Sequence, residues 1–167
     1  MSNTKNRNNR SEETRSRIVQ AAVQMFASHG FDGASTRQIA RLAGANQGLV
    51  TYYFSSKENL WKEAVESIFG EMQAKLLPHL LEYQHKDLDT RARLKIMIHA
   101  LVRYAAHQPE QMRLMIQEGK TDSDRMTWLV DTHVKPMYQL LSAAIQPGQA
   151  EGILPPGAPV HYFYIVV

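Results

Sequence analysis

Apolar residues recur along this chain every three or four positions, and glycines, prolines and polar runs punctuate them. The first such row is Ile18, Ala21, Ala22, Met25 and Phe26, the i, i+3, i+4, i+7 and i+8 positions of one helical face. It predicts a helix from about Ser11 to His29, closed by Gly30, with Phe31 tucked back beneath the helices that follow. Ser35 then reads as an N-cap, and Gln38, three residues on, closes a capping box. Ile39 and Leu42 form the apolar row of this second helix, and Ala40 is small enough for another helix to cross closely. Gly44 ends it where a left-handed residue is usual. Asn46 caps a third helix, in which Val50 and Phe54 lie one turn apart. Its remaining face, Gln47, Gly48, Leu49, Thr51, Tyr52 and Tyr53, is short, polar-aromatic and free of acids.

Beyond Phe54 the same period continues. Ser55 or Ser56 caps a fourth helix built on Leu60, Ala64, Ile68, Met72, Leu76 and Leu80, with Val65, Phe69 and Leu77 alongside. Read to about Glu82, it is about 40 Å long at about 1.5 Å per residue. Pro78 should kink or end it. A fifth helix, about Thr90 to His107, turns Leu94, Met97, Ile98, Leu101 and Val102 to one side. Pro109 opens a short sixth carrying Met112, Met115 and Ile116, closed by Gly119. A seventh, about Ser123 to Gln146, puts Met126, Leu129, Val130, Val134, Met137, Leu141 and Ala144 inward, with a bend expected at Pro136. The segment QPGQAEGILPPGAP cannot be helical throughout, and the apolar run HYFYIVV follows it. No strand alternation or internal repeat interrupts this pattern, so the fold class is all-α.

Composition changes the picture in three ways. At 167 residues and 44% hydrophobic content, the chain is long and apolar enough to bury a real core. With no Cys, disulfides and thiolate metal sites are excluded, which suits a reducing cytoplasm. The opening residues lack an apolar signal core, and the final apolar run is too short to span a membrane, so a cytoplasmic protein is expected. Charge is uneven: residues 1–62 hold nine Lys/Arg against four Asp/Glu, and the remainder holds ten against twelve. A basic front and a mildly acidic body fit a polyanion-binding head on a body with another task, although a solvated charged face would read the same way.

A helix, a glycine turn and an acid-free second helix form the helix-turn-helix layout that places a short helix in a DNA major groove. The same layout occurs in all-α proteins that read no DNA. Four ordered pieces narrow the choice: FASHGF, STRQIA, GANQGLVTYYF and SKENL. Together they resemble the tetracycline-repressor (TetR) family of bacterial transcription regulators. The resemblance implies a disordered basic arm over residues 1–10, a DNA-binding head over 11–55, and a helical ligand-binding and dimerisation body over 56–167. It also implies a homodimer made largely by the last two helices. Here the eighth begins near Pro159 or Val160 and breaks off, and a ninth is absent.

On the resemblance, Arg37 and Gln47 stand at base-contacting positions, suited to guanine and adenine respectively. Gly48 allows close approach to a base, and Leu49 can touch a thymine methyl. Thr36, Thr51, Tyr52, Tyr53 and Lys57 match phosphate-contacting positions, and Asn46 joins the same DNA-binding set. Thr51 departs from the family, which commonly has Tyr there, so its shorter reach puts that contact in doubt.

Catalytic and metal motifs are missing: there is no HExxH, no His pair at i, i+4, no GxSxG and no phosphate loop. The body is instead rich in sulfur and aromatics. Within the family, Phe69, Met72, Met97, Leu101, Tyr104, Met115, Trp128 and Met137 make a set of candidate ligand contacts, though each alone reads more readily as core. Arg103, His99, Glu118 and His133 could add polar contacts. No cofactor and no metal is expected. The reading is a cytoplasmic homodimer that represses by binding an inverted-repeat operator in double-stranded DNA and is released by a small, largely apolar effector. Two alternatives stay open: a ligand-independent activator, and an all-α ligand-binding or enzymatic protein that does not read DNA.

Overall fold

The computed structural model describes residues 2–84 and 88–158, and among them there are helices and turns but no strand. The helices are α1 (Ser2–Gly33), α2 (Thr36–Leu42), α3 (Gln47–Phe54), α4 (Lys57–Gln84), α5 (Thr90–His107), α6 (Pro109–Glu118), α7 (Asp124–Leu129) and α8 (Lys135–Ala150), with a π-helical stretch, Val130–Val134, between the last two. They form two compact units, one of Met1–Ile68 with Arg113–Thr121 and the other of Phe69–Met112 with Asp122–Val167. The all-α class expected from the periodicity is what the chain adopts. The run HYFYIVV and the expected eighth-helix start near Pro159 lie outside the described residues.

In the first unit, the α1 row packs as its spacing dictates. Ile18, Ala21, Ala22 and Phe26 are buried, and Val19 and Ala27 join them. Each large side chain removed from water this way contributes about 1.5–3 kcal/mol. Gly30 breaks the helix at φ 70, a backbone state that costs an L side chain but not glycine. That break turns Phe31 back to stack on Phe26, with ring centroids 5.9 Å apart. The start of α1 differs from expectation: helix runs through residues 2–10, read from sequence as a disordered arm. Nothing between Ser2 and Ser28 is Gly or Pro, so no residue there stops a helix from propagating backwards.

The second helix corrects one apolar position. Ile39 and Ala40 are buried, but Leu42 is 52% exposed. α4 runs through Pro78 to Gln84 instead of stopping there, giving 28 residues, about 42 Å at 1.5 Å each. Leu60, Ala64, Val65, Ile68, Phe69, Met72 and Leu76 are buried along it, and Trp61, beside the expected row, is almost fully buried too.

In the second unit, Leu94 and Met97 of α5 meet Leu141 and Ile145 of α8 in a core. Leu101, Met137, Ile153 and Leu154 pack against it. Ile98 and Val102, expected on the buried side of α5, are exposed instead, and so are Ala144 on α8 and, in the first unit, Ile116 on α6. In each case the apolar row is narrower than the sequence pattern, and the residue at its edge faces out. The long seventh helix expected over Ser123 to Gln146 is three segments. Pro136 has no N–H to donate, and the register slips to i+5 just before it: Lys135 N–H bonds the Val130 carbonyl. α8 then continues past Pro147 to Ala150. Gly148 lies inside the packing there, where a Cβ would stand 2.6 Å from Leu94 Cδ1 and 3.3 Å from Leu154 Cδ1.

Candidate functional site

The helix-turn-helix is assembled by short local hydrogen bonds. Ser35 Oγ accepts the Gln38 N–H at 3.2 Å, and Gln38 Oε1 accepts the Ser35 N–H at 3.1 Å, the reciprocal bonds of a capping box. Gly44 turns the chain at φ 62. Asn46 Oδ1 accepts the Gly48 N–H at 2.8 Å and so opens α3, which occupies the Asn46 side chain in capping. Val50 and Phe54 anchor α3 from beneath. Its outer surface is Gln47, Gly48, Leu49, Thr51 and Tyr52, all exposed, with Tyr52 at 77%. Arg37 and Arg41 of α2 are exposed, and Thr36 is half-buried. α3 itself carries no carboxylate, so no acid on it opposes an incoming phosphate.

Two candidates do more than face outward. Tyr53 is half-buried, and its hydroxyl lies 2.8 Å from Ser11 Oγ on α1. Lys57 is half-buried, with its ammonium over the Phe31 ring, 4.5 Å from the centroid. Arg15, a basic residue of the front third, is held structurally: it pairs with Glu63 at 2.7 Å and lies over the Phe54 ring at 5.3 Å. Ser56, not Ser55, caps α4, with the Asn59 N–H bonded to its Oγ at 3.0 Å.

The eight expected ligand contacts fall in several places. Met97, Leu101 and Met137 belong to the α5–α8 core. Phe69 is buried and stacks on His133 at 4.4 Å, and Trp128 meets the same imidazole edge-on at 5.4 Å. Met72 is buried, with the Gln111 amide on its sulfur at 3.4 Å. Met115 is half-buried in the compact unit that holds the helix-turn-helix. Tyr104 alone of the eight lines the cavity between α4 and α5, whose volume is about 740 Å³. Burial, and then the nearby Glu71 carboxylate, push its phenol up to about 12, so the hydroxyl keeps its proton and can donate. Leu76, Ile96 and Ala100 contribute apolar wall, while Lys75, His99, Arg103 and His107 contribute the polar part. Among the described residues, no group of three His, Asp or Glu is placed to hold a metal ion.

Comparison with known proteins decides what the head is. Residues 18–64 match the family model described as "Bacterial regulatory proteins, tetR family". Over those residues the chain is similar to this family. Among curated relatives, the transcriptional repressor NicS of Pseudomonas putida is 27% identical over 161 residues, covering 93% of this chain and 73% of that protein. The transcriptional regulator SrpR of Pseudomonas putida is 29% identical over 146 residues, covering 83% of this chain and 64% of that protein. This chain thus spans about two thirds to three quarters of the length of those relatives. Two solved structures share its fold: HlyIIR, a hemolysin II transcriptional regulator, with TM-score 0.76 at 24% identity over 93% of this chain and 84% of that one; and AibR, solved with isovaleryl coenzyme A and operator DNA, with TM-score 0.74 at 14% identity over 92% and 83%.

The chain holds features its motifs did not disclose. Trp61 escaped the pattern because it flanks the i, i+4 row and does not continue it. Glu118 is buried at 4% exposure despite its charge, which nothing local in the sequence marks. The basic row on α5, by contrast, was there to be read: His99, Arg103 and His107 are spaced four apart, so they share one face. No described helix is long and apolar enough to cross a membrane.

Proposed function

We propose that this TetR-family protein works in the cytoplasm as a homodimeric repressor that binds an inverted-repeat operator and is released by a small, largely apolar ligand. The observation that carries the reading is the outer face of α3, exposed, acid-free and fixed at its start by the Asn46 cap. Gln47 is its first residue, at the helix end that enters a major groove, and a carboxamide pairs bidentately with adenine N6 and N7. Arg37 suits guanine in the same way. Gly48 leaves room for a base edge beside it, and Thr36, Thr51, Tyr52, Tyr53 and Lys57 supply phosphate partners. One such helix reads only a few base pairs, so two heads on a two-fold axis are needed for a genomic site.

Selection of bound sequences from random DNA by the full-length protein should return an inverted repeat. On that repeat, Gln47→Ala should cost about 1–3 kcal/mol and relax one base position per half-site. A Gln47→Ala variant with the parent's cognate-to-scrambled affinity ratio would show that α3 is not the reader.

A further inference from the structure

The cavity between α4 and α5 has two chemically different parts. One is apolar, made by Leu76 from α4 and Ile96 and Ala100 from α5. The other is basic: His99, Arg103 and His107 follow one another by single turns of α5, and Lys75 faces them from α4. Among the described residues, no carboxylate is in the lining. Glu71, nearby, pairs with Lys75 at 2.5 Å and accepts the Gln108 amide at 3.2 Å, so its charge is spent on groups already present. Arg103 has no such partner. Its backbone carbonyl engages His107 Nδ1 at 2.7 Å, but its guanidinium makes no ion pair or side-chain hydrogen bond among the described residues. The Tyr104 hydroxyl, next along α5, adds a neutral donor to the same lining.

We infer that this cavity binds an amphiphilic anion, a carboxylate or phosphate ester on a short apolar chain, with its head on Arg103 between His99 and His107 and its chain along Leu76, Ile96 and Ala100. A guanidinium presents a planar fork that matches either head group bidentately. A neutral apolar ligand would leave that fork unused, and a cation would meet the Arg103 charge with no carboxylate among the described lining residues to offset it. About 740 Å³ is the size of an ordinary small-molecule site, enough for a chain of moderate length. The inference rests on the reading that a small ligand releases this protein from DNA, and it names the class of that ligand.

The test is calorimetric titration of the full chain, without DNA, with decanoate, decyl phosphate, decanol and decyltrimethylammonium. Decanoate or decyl phosphate should bind at least about tenfold more tightly than decanol, and the cation should not bind. Whichever anion binds more tightly identifies the head group. Arg103→Gln should weaken the preferred anion by about tenfold or more, the loss expected when a charged bidentate contact is removed. Arg113→Gln, an exposed arginine on α6 outside the cavity, should leave it unchanged. Decanol binding as tightly as the anions, no anion binding below millimolar concentration, or an Arg103→Gln variant with the parent's affinity would each overturn the inference. Operator release is scored separately by adding the bound anion to the protein–DNA complex. Binding without release would sink the ligand-release reading while leaving this site intact.

Discussion

At the scale of single residues, the informative side chains serve the fold and the DNA-facing surface together. On the proposed reading Tyr53 contacts a phosphate, yet its hydroxyl is 2.8 Å from Ser11 Oγ on α1. Those two roles separate by mutation. Ser11→Ala should lower stability by about 0.5–1.5 kcal/mol, the net worth of one hydrogen bond, with operator affinity little changed. Tyr53→Phe should lose the same stability and also weaken all operators alike. Urea titration and binding to cognate and scrambled duplexes measure both. If Ser11→Ala weakens DNA binding as much as Tyr53→Phe does, the bond positions α3 and the phenol is no phosphate contact. Residues of this kind explain how much was legible. Caps and turns are local chemistry, so Ser35, Gln38, Gly44 and Asn46 could be read directly. Pairings such as Ser11 with Tyr53, or Arg15 with Glu63, join positions more than forty apart, and no spacing rule reaches them.

Secondary-structure elements were legible where one face was strongly apolar and blurred where a backbone atom was missing. α5 runs over Thr90–His107 as its capping and periodicity require, with Asp89 accepting the Ala92 N–H at 2.7 Å. The stretch after Ser123 reads as one helix with a bend at Pro136, but side-chain pattern does not register the i+5 bond before that proline. The same limit hid the close approach at Gly148. That residue sits beyond Pro147, where the sequence suggests a loop, yet it lies on the α8 turn that meets Leu94. Gly148→Val should therefore destabilise the protein by about 1–3 kcal/mol through overpacking. Leu94→Ala alone should also destabilise, by opening a cavity. Combined, the two should cost clearly less than their sum, since the added methyls fill the space that Leu94 vacates. Thermal denaturation of the four proteins closes the cycle. Strict additivity would mean that Gly148 is kept for backbone conformation and not for contact with Leu94.

At the scale of the whole molecule, the question is how many heads engage one stretch of DNA, and salt dependence can count them. Each Lys or Arg that neutralises a phosphate releases counterions, so log affinity falls against log salt with a slope of about −0.9 per contact. Removing one such lysine from a lone head should make that slope shallower by about one. In a two-fold dimer every substitution occurs twice, so the change should be about two. Lys57 is suited to this measurement: it stands at the start of α4, directly after the proposed reading helix, and its ammonium rests over the Phe31 ring. Lys57→Gln keeps a polar side chain, one atom shorter, while deleting its charge. The expected outcome for full-length protein on an inverted repeat is a uniform loss of affinity across sequences, with the slope shallower by about two. On a single half-site the same substitution should change the slope by about one. A change of one on both substrates would leave a single head on the DNA, and no change at all would take Lys57 out of the phosphate contacts.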